Sequence, residues 1–488
     1  MTSGLWREER LLVGGKLVEA AGGGTYDNVA PATGRTIGVA ADGGRDDMDA
    51  AIAAARSAFD DTTWSTDLGL RLRGLRQLHE ALVRHTEELR ATTIAEVGAP
   101  VALTHGAQLE TPIEGLAWVI DLAARYRWVE DLGEAAPYGM KSLRSVHREA
   151  IGVVGAITPW NFPMQINLAK VGPALAAGNT VVLKPAPDTP WLATLLGRLV
   201  AEETDLPPGV LNIVTSAGHE VGQMLAEDPR VDMVSLTGST ATGRRVMAAA
   251  APTLKKVFLE LGGKSAAIAL DPDDVAAAAA SAAMQAMTHA GQGCAITSRL
   301  VVPRGAYDDA VAVAVDTMNA IPWGDPSDPS VLMGPLIREG QRQRVLGYVA
   351  KGVEEGATVA VGGGVPSHLP DGFYVEPTVL AGVEPHHVVA QEEIFGPVLV
   401  VVAHDGDDHA VAVANDSPYG LSGAVFGETE RARAVAARVR TGTIGVNGGL
   451  FYSPDVPFGG YKQSGLGREM GRLGFEEYTE VKSVAEGL

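Results

Sequence analysis

The stretch Gly291-Gln292-Gly293-Cys294 holds the single cysteine of the 488-residue chain. A thiolate attacks carbonyl carbons and then departs as a leaving group, which suits it to acyl chemistry. Glycines on either side soften the turn and let the sulfur face a cleft, whereas an inert cysteine packs as a small buried hydrophobe. An ordinary thiol titrates near pH ~8.5, so a working one needs a lowered pKa or a nearby base. The nearest histidine, His289, lies five residues earlier. That is about 500° of helical rotation, so it faces elsewhere and no local Cys–His pair forms. A second chemical signal is Thr237-Gly238-Ser239, set between an apolar stretch at 230–236 and a helical one at 239–250, with Gly243 five residues after Gly238. Strand, tight turn and helix N-terminus together offer free N–H groups and a positive dipole end to a pyrophosphate; an ordinary βα turn is the plain alternative. Two look-alikes fail. Gly262-Gly263-Lys264-Ser265 ends like a P-loop but has Phe258 where the first glycine belongs, and the Gly465/Gly467/Gly471 series has the wrong spacing and no preceding strand.

Alternating strands and helices must position these residues. Residues 46–59 put Met48, Ile52, Ala55 and Phe59 on one helical face, with acids in the first turn. Residues 153–158 and 180–183 are short β-branched runs, and a helical segment follows at 191–203. Buried parallel strands alternating with helices predict an open, doubly wound α/β sheet. A second series at 266–270, 300–302, 357–361 and 398–402 predicts another α/β domain after Phe258. Residues 126–146 interrupt the alternation, and 475–484 again read as a strand. Distant β pieces outside the main domains predict a protruding arm whose edges need a partner, ahead of an excursion that pairs only within the chain.

A net charge of −20 excludes sequence-independent affinity for nucleic acid or anionic membranes. One cysteine excludes a disulfide framework and any multi-cysteine metal site, and a free thiol suits a reducing compartment. The opening residues carry charges where a secretory leader would be apolar. Residues 275–287 (VAAAAASAAMQAM) are too few to span a bilayer and read as a buried helix. The expectation is a soluble, cytoplasmic α/β protein with no metal, nucleic-acid or membrane partner.

TPWNFP at 158–163, KPA at 184–186, LTGST at 236–240, LELGGKS at 259–265, GQGC at 291–294, EIFGP at 393–397 and PFGGYKQSGLGRE at 457–469 stand in one order. Together they resemble the NAD(P)-dependent aldehyde dehydrogenases, from about Val13 to the tail. The resemblance implies a cofactor domain over residues 1–125 and 147–257 and a catalytic domain over 258–462. It also implies an oligomerisation arm and tail over 126–146 and 463–488, in a homodimer or homotetramer. It implies oxidation of an aldehyde to the acid, with NAD as cofactor and NADP possible.

Residue by residue, the resemblance makes Cys294 the nucleophile and Asn161 an oxyanion donor beside the Cys294 N–H. Glu260 becomes the base that activates water, and Lys170 a lysine near the centre. Members that pass the acyl group to coenzyme A lack that glutamate, so Glu260 favours hydrolysis over acyl transfer. A Cys294 thiol hydrolase is the other alternative. For the cofactor, the match nominates Thr158, Pro159, Trp160, Lys184, Ala186, Pro187, Gly238, Ser239, Gly243, Leu261, Glu393 and Phe395. Pro187 replaces an acid common in NAD-preferring members, so repulsion does not exclude a 2′-phosphate. Phe162, Ile166, Ala169 and Phe458 are expected to shape the aldehyde pocket. Ala169 replaces a bulky aromatic of many relatives, which predicts a roomier pocket, and with no charged clamp among these residues medium-sized, uncharged aliphatic or aromatic aldehydes are expected.

Overall fold

The computed structural model describes residues 8–488; residues 1–7, part of the stretch read for a leader, lie outside the described residues. Its first sheet has eight strands in the order Gly465–Leu466, Lys256–Glu260, Met233–Thr237, Val153–Ile157, Thr180–Lys184, Leu211–Ile213, Leu11–Val13, Lys16–Val18. The five central strands are parallel and the outer pairs antiparallel. Val154 and Ala156 enter one core and Val153 the opposite one, so helices cover both faces, as a doubly wound sheet requires. Helix Arg45–Asp61 packs Met48, Ile52 and Ala55 as expected, with Asp47 closing its N-terminus. Its fourth turn buries Ala58, while half-buried Phe59 stacks under Arg56. Chain order reverses between Val153–Ile157 and Met233–Thr237, which opens a crevice at the carboxyl ends of those strands. The sheet extends to Glu260, past the expected boundary at residue 257, because Phe258, Leu259 and Glu260 pair in register with Ser235, Leu236 and Thr237.

A second sheet runs Thr358–Val361, Thr378–Ala381, Val398–His404, Arg299–Pro303, Ala266–Ala269, Gly423–Phe426, Gly445–Val446, parallel except for its first pair. Helix Val275–Met287 lies on it through Ala278, Ala279, Ala282, Ala283 and Ala286, while Met284 stands in solvent. The alanine-rich run is therefore one-sided rather than wholly buried. Alanine on the inner side lets the helix approach the strands closely.

The third sheet joins Val129–Ala135, Ser142–Ala150 and Thr479–Gly487, with nine residues of antiparallel register between the last two. The distant β pieces thus pair with each other. The tail strand begins at Thr479 rather than residue 475, because Gly471–Glu476 forms a helical turn that buries Phe475 against Tyr126 and Trp128. Among the described residues, no helix is long and apolar enough to cross a membrane.

Candidate active site

Cys294 follows a chain reversal after helix Val275–Met287. His289, Ala290 and Gly291 are all left-handed, with φ of 49°, 52° and 71°. For the two non-glycine residues this conformation costs roughly 1–2 kcal/mol each, so the surroundings must hold it. A side chain at Gly291 would meet the Gly396 carbonyl oxygen at 1.9 Å, and one at Gly263 would meet the Cys294 carbonyl oxygen at 2.5 Å. At Gly291 the glycine serves close packing and a positive φ rather than flexibility. The sulfur emerges half-buried where two cavities meet, and Asn161, Thr237 and Glu260 line both.

Glu260 ends strand Lys256–Glu260, its backbone pinned by Thr237 on one side and Gly465 on the other. Its carboxylate is 2 % exposed, and neither oxygen has a hydrogen-bond partner. Asn161 follows strand Val153–Ile157. Its Nδ2 donates to the Gln292 carbonyl at 2.8 Å, and its own carbonyl accepts from Gln108 at 2.8 Å. Lys170 is fully buried, not solvent-facing. It donates to Glu469 at 2.9 Å and to Ser235 at 3.1 Å, and it reaches the site only through Glu469.

The first cavity, of about 550 Å³, lies in the crevice. Pro159, Trp160, Gly238, Ser239, Leu261, Glu393 and Phe395, all nominated for the cofactor, line it. Ser239 caps helix Thr240–Ala250 by accepting from Thr242, so that helix presents its N-terminus to the cavity wall. Glu393 accepts from Gly263 N at 2.9 Å. Phe395 has a positive φ of 60°, with its carbonyl held by Gln341 at 2.7 Å and its ring edge-on to Trp160. The remaining expected cofactor residues lie outside this lining. Thr158 turns its hydroxyl inward to Asn167, and Gly243 leaves room for Leu261, whose Cδ1 a Cβ there would meet at 2.7 Å. Lys184, Ala186 and Pro187 continue from the neighbouring strand end, where Lys184 stands in register with Ile157. Sequence reasoning missed Arg338, Gln341 and Arg344, which also line the cavity and come from a segment with no motif of its own.

The second cavity, of about 250 Å³, is walled by Phe162, Ile166, Ile296, Phe451, Phe458 and Met470, with Gln165, Gln285 and Thr288 among them. Its charged lining residues are Glu260 and Glu469. Ala169 does not line it. That residue faces an adjoining hollow that shares Gln165 and Met470 with the cavity, because one helical turn separates Ala169 from Gln165. Glu469 and Met470 went unassigned in the sequence, the first read only as the end of a motif and the second lying just past it.

Comparison with known proteins decides the family. The profile of the Aldehyde dehydrogenase family matches residues 17–484. The chain belongs to that family. A curated relative, 3-succinoylsemialdehyde-pyridine dehydrogenase from Pseudomonas sp, is 41% identical over 97% of both chains. Among solved structures, a mutant of aldehyde dehydrogenase C from Pseudomonas syringae, in complex with NAD+ and octanal, superposes with a TM-score of 0.94. It is 39% identical, covering 99% of this chain and 98% of that one. An aldehyde dehydrogenase from Mycobacterium tuberculosis complexed with NAD+ is 41% identical, covering 98% of each chain, also with a TM-score of 0.94. The sequence-based family and fold are thereby borne out: this is an aldehyde dehydrogenase, an oxidoreductase that converts aldehydes to acids.

In this aldehyde dehydrogenase the electrostatics are dominated by burial. Burial, then repulsion from Glu469, raises the Glu260 carboxyl well above the ordinary carboxylate range, against the pull of Lys170 and Arg468. The Cys294 thiol is raised as well, by burial and then by Glu260, Glu393 and Glu469. Burial lifts Glu393 to about 7. His289 is lowered to about 4 by burial and packs edge-on against Phe162.

Proposed function

We propose that this chain oxidises a medium-length, uncharged aldehyde with NAD, through a thioester on Cys294 that water then hydrolyses. The observation that carries this is the meeting of an apolar cavity and a helix-terminus cavity at one sulfur, with Asn161 and Glu260 lining both. The donor set fits NAD. The N-terminus at Ser239 suits the pyrophosphate and Glu393, tethered by one oxygen to Gly263, a nicotinamide ribose hydroxyl, while Lys184, beyond the lining at the neighbouring strand end, is read as the adenosine-ribose contact.

The Cys294 thiol first gives its proton to solvent; the thiolate then attacks the aldehyde carbon, forming a C–S bond and moving the carbonyl electron pair to oxygen. Asn161 Nδ2 and the Cys294 N–H donate to that oxyanion, and neither can quench it by giving up a proton. When bound, NAD would accept the hydride released as the C–H bond of that adduct breaks and its C=O re-forms, which leaves a thioester on Cys294. Glu260 takes a proton from water, the hydroxide adds to the thioester, and the thiolate leaves as the acid departs.

The apolar wall and the acids Glu260 and Glu469 disfavour a carboxylated aldehyde, and the octanal-bound relative supports an aliphatic one. A nucleophile of this kind works only while reduced, so the enzyme is read as cytoplasmic, and the three-stranded arm as its dimer or tetramer contact. The test is reduced-nicotinamide absorbance with NAD or NADP against straight-chain, aromatic, amino and carboxy aldehydes, with and without coenzyme A. Turnover with octanal, NAD and no coenzyme A is expected. Turnover only with coenzyme A overturns the hydrolytic role of Glu260.

A further inference from the structure

Asn161 is read above as the oxyanion donor, and what aims it is a question the chain answers through Gln292. This glutamine is fully buried. Its side-chain Nε2 donates to the His289 carbonyl at 3.0 Å and to the Pro335 carbonyl at 3.3 Å, while Oε1 accepts from Ile337 N at 2.9 Å. Its backbone carbonyl accepts one hydrogen of the Asn161 amide at 2.8 Å. An amide nitrogen has two hydrogens, so taking one fixes where the other lies. The carbonyl itself sits between Gly291, fixed by close packing, and Gly293, and neither glycine has a side chain to orient it. Nothing in its immediate neighbours' side chains sets that orientation. The Gln292 side chain does, by tying the strained turn at His289 to the segment 335–337.

We propose that Gln292 is a positioning residue for the oxyanion site. Its buried side chain locks the peptide whose carbonyl turns the second Asn161 hydrogen toward the oxygen formed on the Cys294-bound substrate. The proposal rests on the reading of Cys294 and Asn161 above. A structural buttress would also occupy this position, but it would act on the sulfur and the turn together; the hydrogen-bond geometry here runs to Asn161.

The experiment is a double-mutant cycle of Gln292→Met and Asn161→Ala on the full-length enzyme with octanal and saturating NAD, alongside the rate of Cys294 alkylation by iodoacetamide, which forms no oxyanion. Loss of one oxyanion donor lowers kcat roughly 100- to 1,000-fold, so misaiming it is expected to lower kcat about 10- to 100-fold. In the Asn161→Ala background the same Gln292 change is expected to cost less than about threefold, with alkylation within about threefold of wild type. A multiplicative effect in the cycle overturns the proposal, as does alkylation that falls in parallel with kcat. An Asn161→Ala enzyme with wild-type kcat overturns the oxyanion reading itself, and this proposal with it. Should Gln292→Met not fold, Gln292→Glu keeps the acceptor for Ile337 and, when protonated, one donor. Its kcat relative to wild type at equal pH is then expected to rise as pH falls from about 9 to 6, and a flat ratio overturns the proposal.

Discussion

Glu260→Gln separates the two halves of the proposed reaction. The amide keeps the shape of the side chain in a pocket that offers it no hydrogen-bond partner, yet it cannot accept a proton from water. A positioned general base contributes about 10²- to 10⁴-fold, or roughly 2.7–5.4 kcal/mol at 1.36 kcal/mol per decade, so steady-state turnover should fall by that range. Thioester formation does not use the base. A stopped-flow trace should therefore show a burst near one equivalent of reduced nicotinamide per Cys294, followed by a slow phase. Stability should move the other way. In the folded enzyme the carboxyl is raised by burial and Glu469, so folding favours its protonated form. That preference stabilises fully below the ordinary carboxylate pKa and is lost as pH rises toward the raised value. Glu260→Gln should melt higher than wild type at neutral pH, and the two should converge near pH ~4. Absence of a burst, or steady-state turnover within threefold of wild type, would refute the assignment.

Other substitutions test the neighbouring readings. Alkylation of Cys294 in the free enzyme should keep rising above the ordinary thiol range, because burial and Glu260, Glu393 and Glu469 oppose the thiolate; Glu393→Gln should speed it at fixed pH. Lys170→Met leaves Glu469 buried without its 2.9 Å partner and should cost about 3–5 kcal/mol in a denaturant melt. Ala169→Trp should fill the hollow beside Gln165 and Met470 and penalise long aldehydes, by up to about fourfold in kcat/KM per excluded methylene, with propanal little changed. Pro187→Glu should weaken NADP more than NAD, by about tenfold in the ratio of KM values.

Local chemistry already showed in the chain. Val153–Ile157 and Thr180–Lys184 are β-branched and apolar, so their burial between helices followed from composition. Thr237-Gly238-Ser239 announced a strand, a turn and a helix N-terminus that the fold then built. Cys294, Glu260 and Asn161 stood in motifs specific enough to nominate them together, although 133 positions separate the first from the last. The sequence alone pointed to the family, to most of the elements and to the groups proposed to react.

Tertiary structure decided what distant segments do to one another. Arg338 and Gln341 carry no local signal, and only the packing of 335–344 against the Cys294 loop brings them to the crevice cavity. Lys170 looks like a surface lysine until Glu469, 299 residues away, closes over it. Ala169 turns from the pocket because a helix repeats every 3.6 residues, which fixes its face but not what that face will meet. The raised Glu260 carboxyl depends on burial and on Glu469, and neither is written near residue 260. Periodicity and turn chemistry are short-range and act through neighbours in the chain. Desolvation, charge coupling and close approach depend on neighbours in space, which exist only once the sheets have packed.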